Sequence, residues 1–235
     1  MSRNLGIEFM RCLMMLLIVL HHCCYHGGIG GVVPGGISEM TMFCVDAFVF
    51  ISGWYGIRLK WRKIVDFIAL GMFYVLLSGI GAGISGRGWS FRFSLGWFGN
   101  CYMALMMVSP FLNAAIERLK EQGTRHLFSA WTSFAAIFAV SWMSCGWLDF
   151  AVEGWKSGHS FVTMCFVYMT ARTMRLLQVR EKCNIPLLAG VFAVSSCANL
   201  GLAWLRYSGS CNIPGGYNSP FVMAMAIAAF LILSD

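Results

Sequence analysis

Charge is what this sequence has least of. Its 235 residues include 17 Lys or Arg and 10 Asp or Glu, 11% in all, where a soluble domain carries about 25%. A soluble globule of this length cannot cover its surface with so few charged groups. A disordered chain is excluded by the opposite property, because 58% of the residues are apolar. Any Cys-x-x-Cys pair is also missing. The ten cysteines are scattered, most of them inside apolar runs (Cys12, Cys44, Cys101, Cys145, Cys165, Cys197). That excludes a disulfide-stapled secreted domain and reads as small buried apolar residues. The first apolar segment lacks a small-x-small cleavage site, so it reads as an uncleaved span and not as a signal peptide.

What is present is a series of charge-free intervals. No acid, Lys or Arg falls between Arg11 and Glu39, Asp66 and Arg87, Arg92 and Glu117, Arg125 and Asp149, Lys156 and Arg172, Lys182 and Arg206, or Arg206 and Asp235. Met40 to Ile57 is a further apolar run, interrupted only by Asp46. A span needs about 20 apolar residues. The expected fold is therefore all-α: a polytopic transmembrane bundle of about eight spans, at about 5–25, 40–57, 64–85, 95–116, 127–148, 158–176, 186–206 and 219–234. The stretch from Gly27 to Gly36, with six glycines and one Pro, is expected to be a flexible loop and not a helix. Ser219 suits an N-cap and Pro220 the first helical position.

The net charge of +7 is distributed by side. Arg3, Arg58, Lys60, Arg62, Lys63, Arg118, Lys120, Arg125, Arg172, Arg175, Arg180 and Lys182 fall at one set of span ends. Only Arg87, Arg92, Lys156 and Arg206 fall at the other. The positive-inside rule then expects both termini in the cytoplasm. The basic excess is topological, so no nucleic-acid partner is expected.

Ionisable groups within spans are costly and point to function. The first span carries Glu8, Arg11, His21 and His22. Glu8 and Arg11, three apart, are placed to neutralise each other. Arg11 and His22, eleven residues apart, fall about 20° from whole turns and so share a face, separated by about 16 Å in depth, with His21 about 80° off that face. Asp46, early in the returning span, reaches a depth comparable to His22, where a carboxylate would fix the imidazole tautomer. Ser52 and Gly53 follow deeper, Gly53 permitting close helix approach. The cationic run Arg58, Lys60, Arg62 and Lys63 closes the span. This line suits a reaction whose anionic donor arrives from the basic side and whose acceptor lies on the other. A metal held by His22 and His26 lacks further ligands, so no metal is expected. Gly81 to Gly86 matches G-x-G-x-x-G but follows no strand, so it is no dinucleotide site.

Several motifs, in order along nearly the whole chain, carry a resemblance. They are Arg3-Asn4-Leu5-Gly6-Ile7-Glu8-Phe9-Met10-Arg11 followed, after ten intervening residues, by His22, Val45-Asp46-Ala47-Phe48 leading to Ser52-Gly53-Trp54, Trp97-Phe98 with Tyr102 and Ser109-Pro110-Phe111-Leu112, Gly158-His159-Ser160-Phe161 with Tyr168, and Tyr217-Asn218-Ser219-Pro220. In these the chain resembles the acyltransferase 3 family of multi-pass membrane O-acyltransferases. The resemblance implies transfer of an acyl group, with acetyl the first expectation, from cytoplasmic acyl-CoA to a hydroxyl of an extracytoplasmic carbohydrate or glycolipid at a bacterial inner membrane. His22 would be the general base, Asp46 its orienting partner and Arg11 the stabiliser of anionic charge. Ser52, Gly53, Trp97, Tyr102, Asn218 and Ser219 would line the substrate site, and Arg58, Lys60, Arg62 and Lys63 would hold the CoA phosphates. Family members have about ten spans, so residues 3–235 are expected to form one domain lacking its last one or two helices. Two other classes fit a polar-lined bundle: a small-solute transporter, and a non-catalytic truncated membrane protein.

Overall fold

The computed structural model describes residues 4–27, 31–86, 88–89, 95–143, 158–209 and 215–234. Arg3, Arg87, Arg92, Lys156 and the end of the expected fifth span lie outside them. The described residues are helical, without strands. The helices are α1 (Leu5–His26), α2 (Val32–Thr41), α3 (Phe43–Tyr55), α4 (Trp61–Ile84), α5 (Gly96–Gln122), α6 (Thr124–Met143), α7 (Phe161–Leu176), the short α8 (Val179–Lys182), α9 (Ile185–Tyr207) and α10 (Pro220–Leu233). Five stretches are long and apolar enough to cross a membrane: α1, α2 with α3, α4, α5 and α9. The all-helical expectation therefore holds, and the chain has the make-up of a membrane protein.

Local sequence accounts for several helix ends. The Asn4 side chain accepts the Ile7 N–H, and Asn184 accepts that of Leu187 at 2.8 Å. Ser160 does the same for Thr163. These side chains satisfy donors that a helix start leaves free. Ser219 and Pro220 stand at the cap and first helical position as expected, but the Ser219 hydroxyl makes no capping bond.

The expected loop at 27–36 is corrected in its second half, because α2 begins at Val32 and carries Pro34, Gly35 and Gly36. Pro34 lies in the first turn, where a missing N–H costs nothing. Gly35 packs so closely on the Tyr207 ring of α9 that a Cβ there would strike it. Tertiary contacts outweigh the poor helix propensity of glycine. At Met42 the helix steps into α3 through two short i to i−3 bonds, Met42 N to Glu39 O and Val45 N to Met42 O. Just before the step the Thr41 hydroxyl stands 2.9 Å from both the Ile37 and the Ser38 carbonyl, its one proton shared between two backbone acceptors.

The core forms where α3 meets α7 and α10. Phe50, Tyr168, Val222, Met225 and Phe230 are fully buried there. Gly53 lets α3 and α7 touch backbone to backbone: an added Cβ would meet the Tyr168 carbonyl oxygen and come within 2.9 Å of the Ala171 side chain. The packing role expected of Gly53 is met. By contrast α4 packs against little, with only 6% of its apolar window buried. Its side chains Phe73, Leu76, Leu77 and Ile80 are exposed, as lipid-facing residues are.

A polar clamp closes the far end of α3. The Tyr168 hydroxyl accepts the Ile57 N–H and donates to Asn113 Oδ1, both at 2.9 Å, while Asn113 Nδ2 donates to the Ile57 carbonyl. Arg175 donates to the Trp54 carbonyl at 2.6 Å and stands over the Tyr55 ring, and Arg172 pairs with Glu117 at 2.8 Å. Tyr168→Phe removes one hydroxyl and leaves two partners unsatisfied. It is expected to cost about 1–3 kcal/mol, read as a lower Tm in detergent without loss of helical content. An unchanged Tm would show that water replaces the hydroxyl.

Candidate functional site

A polar cavity of about 480 Å³ opens at the end of the bundle where α1 finishes. Its volume is in the range of small-molecule sites, about 300–1,000 Å³. His21, His22 and His26 line it from α1, Glu39 from α2, Arg206 from the end of α9, and Trp97, His159 and Tyr217 from the remaining sides. Four of the chain's five histidines therefore face one space.

The histidine tautomers follow from their acceptors. His21 Nδ1 lies 3.0 Å from the Ser38 carbonyl oxygen, and His22 Nδ1 lies 2.8 Å from that of Ile18. A carbonyl only accepts, so each Nδ1 carries the proton and each Nε2 is left as the basic nitrogen. His21 is buried, with the Ser38 and Thr41 hydroxyls at 3.2 and 3.3 Å from the same Nδ1. His22 is exposed to the cavity mouth. The two rings meet edge to face at 5.4 Å, and His22 approaches His26 at 5.7 Å.

The opposite wall is aromatic. His159 stands 4.5 Å from Trp97 and 4.8 Å from Tyr217, in each case edge to face. It lies in the turn before the Ser160 cap, outside the helices. Burial lowers its pKa below the usual histidine range, and the nearby His21 lowers it further, so at pH 7 its ring is neutral. Tyr217 stays protonated, because burial raises its pKa above the usual phenol range and the charges of Asp46 and Glu39 add to that. The floor is an ion pair: Arg206 Nη1 donates to Glu39 Oε1 at 3.0 Å, with the Glu39 side chain only 6% exposed. Glu39 Oε2 is buried and has no partner among the described residues.

The expected catalytic trio is not assembled. Asp46 is buried and its Oδ2 has no partner among the described residues; it makes no hydrogen bond to His22. The Ile18 carbonyl fills the tautomer-fixing part expected of Asp46. The reason is helical phase. The α1 residue turned towards α2 is His21, bonded to Ser38, while Asp46 lies past the Met42 step and does not line the cavity. Arg11 pairs with Glu8 at 2.9 Å, as expected, with both side chains 44% exposed. It lies in an open apolar groove beside Met15 and Phe48, far along α1 from the histidines.

The expected substrate-site residues divide. Trp97 lines the cavity. Ser52 and Tyr102 bond to each other at 2.9 Å, away from it, and Gly53 is at the α3–α7 contact. Asn218 and Ser219 are buried, with Asn218 Oδ1 and the Ser219 hydroxyl unpartnered among the described residues. Arg58, Lys60, Arg62 and Lys63 are exposed just past the Tyr168 clamp. The described residues contain no cluster of three potential metal ligands. Glu39 and Arg206 were missed from the sequence, yet a signal was there: each is a solitary charge bordering long neutral runs.

Fold and site together define a helical membrane protein with a histidine-lined polar cavity at one end of the bundle. Comparison with protein-family models, with curated proteins and with solved structures returned no match.

Proposed function

We propose that this chain is a membrane O-acyltransferase that moves an acyl group, acetyl first among them, from acyl-CoA to a hydroxyl of an envelope carbohydrate or glycolipid. The observation that carries the reading is the histidine cavity: two imidazoles whose Nδ1 atoms are bound to carbonyls, and whose Nε2 atoms therefore lack a proton, line a space of substrate size. The sequence resemblance to the acyltransferase 3 family supports it independently.

In this reading His22 is the general base. Its Nε2 takes the proton of the acceptor hydroxyl as the oxygen attacks the thioester carbonyl. The C–S bond then breaks and the CoA thiolate leaves with the proton. Such base catalysis is worth about 10²–10⁴-fold. His21, locked against Ser38, holds the neighbouring ring in place, and Trp97 with Tyr217 gives the acceptor an apolar wall. The exposed cations Arg58, Lys60, Arg62 and Lys63 stand at the opposite end and suit the CoA phosphates.

The finer topology belongs to the same reading. With α2 and α3 taken as one pass and α8 as a surface turn, the helices make eight passes. The Asn4 side chain donates to the Ser234 carbonyl at 3.2 Å, which is consistent with both described ends on one side. The basic residues argue that this side is cytoplasmic, and the bacterial inner membrane is the membrane implied.

The test is transfer of labelled acetate from acetyl-CoA to envelope sugar by the purified protein in nanodiscs. His22→Ala is expected to lower transfer by about 10²–10⁴-fold with an unchanged Tm. Undiminished transfer by His22→Ala would remove it as the base. Protein that takes up a solute without consuming acetyl-CoA would favour a transporter instead.

A further inference from the structure

Acyl transfer places a negative charge on one oxygen. As the acceptor hydroxyl attacks the thioester carbonyl, the C=O π pair moves onto that oxygen and His22 Nε2 takes the hydroxyl proton. Donors fixed in advance around such an oxygen are usually the largest single contribution to catalysis. Arg11, the residue the sequence suggests for that charge, lines a separate groove with Met15 and Phe48. Another cation stands in the histidine cavity. Among the described residues of its lining, Arg206 is the only Lys or Arg.

The Arg206 guanidinium is fixed from three sides. Nε donates to the Leu202 carbonyl, one turn back on α9, at 3.4 Å, and Nη1 donates to Glu39 Oε1 at 3.0 Å. Gly215, also in the lining, lies so close that a Cβ there would strike the guanidinium. Nη2, with two N–H groups, has no partner among the described residues and is not one of the buried unpartnered atoms. The side chain keeps 18% of its surface exposed while lining the cavity. One amino group is thus spent on the ion pair and the other is left to the cavity.

The charges balance through the reaction. Glu39 and Arg206 cancel in the resting site. In the intermediate the His22 imidazolium cancels the oxyanion. When the carbonyl re-forms, the C–S bond breaks and the leaving thiolate takes the proton from His22.

We propose that Arg206 is the anion-binding residue of the cavity, its Nη2 donating to the acyl carbonyl oxygen as that oxygen becomes negative. This rests on the transferase reading, and it makes Glu39 a positioning residue that holds the guanidinium.

Because Arg206 also ties α2 to α9, stability and chemistry are measured separately, on the full chain in nanodiscs. The double variant Arg206→Ala with Glu39→Gln leaves no stranded charge and is expected to regain most of the Tm. Its kcat for transfer of labelled acetate is expected to stay about 10²–10³-fold below wild type, with the acceptor KM little changed. Methylphosphonate, a tetrahedral anion shaped like the acetyl intermediate, gives a readout without turnover. It should raise the wild-type Tm saturably, where sodium chloride at equal ionic strength does not, and leave the double variant unshifted. Arg206→Lys keeps the ion pair but not the fork. It is expected to lose part of both readouts, and it carries the test should the double variant fail to fold. A double variant that transfers at the wild-type rate, or that keeps the methylphosphonate shift, would overturn the proposal, as would wild-type protein with no shift. A shift confined to wild type, in a protein that transfers no acetate, would keep Arg206 as the anion contact and sink the transferase reading alone.

Discussion

Arg206→Ala is expected to destabilise the fold by about 3–5 kcal/mol, the cost of stranding one partner of a buried ion pair. Glu39 is the stranded partner. Its side chain is 6% exposed, one oxygen bonds Arg206 at 3.0 Å, and the other has no partner among the described residues. Without the guanidinium the buried carboxylate loses its ion-pair partner. The same pair ties α2 to α9, beside the bond from Asn199 Nδ2 to the Glu39 carbonyl at 3.0 Å. Because α2 is rich in glycine, it depends on these ties more than on its own propensity. Adding Glu39→Gln to Arg206→Ala removes the orphaned charge and is expected to recover most of the loss. Unfolding of wild type, both single variants and the double variant in nanodiscs gives the coupling directly. Additive losses would mean that the pair is solvated and contributes little.

Gly53→Leu is expected to prevent α3 and α7 from packing. Overpacking a core costs about 1–3 kcal/mol when side chains can rearrange. Here the obstruction is backbone, since the added Cβ meets the Tyr168 carbonyl oxygen before any flexible atom. The loss should therefore exceed that range, with Gly53→Ala intermediate. Separation of the helices would also break the Tyr168 bond to Ile57, so the two ends of the contact fail together. Folded yield by size exclusion and Tm for the Ala and Leu variants measure this. A Gly53→Leu protein as stable as wild type would show that α3 shifts freely along α7.

The histidines show how far residue spacing reaches. That Arg11 and His22 share a face of α1 follows from 100° per residue, and both are exposed in the structure. Spacing cannot say which neighbour a face meets. The placement of Asp46 beside His22 assumed two straight helices at matching depth. In the structure His21, not His22, is the α1 histidine held against α2, at Ser38, while Asp46 is buried with no bond to His22. The same limit hid Glu39 and Arg206, which lie 167 positions apart and meet only because α2 and α9 pack together. Gly53 was legible because close approach needs no partner's name, only the absence of a side chain.

By itself the sequence determined that this is a helical membrane protein. Scarce charge, confined to the ends of long apolar runs, leaves a chain no other way to satisfy its backbone within lipid. It also set several helix starts, at Asn4, Ser160, Asn184 and Pro220, because capping is local. Only the tertiary structure decided that a glycine-rich segment becomes α2, since the stabilising groups are a tyrosine ring, an asparagine and an arginine on a distant helix. Only it decided which polar residues converge, since the direction each side chain faces depends on how helices bend and cross, and that is a property of the packed bundle.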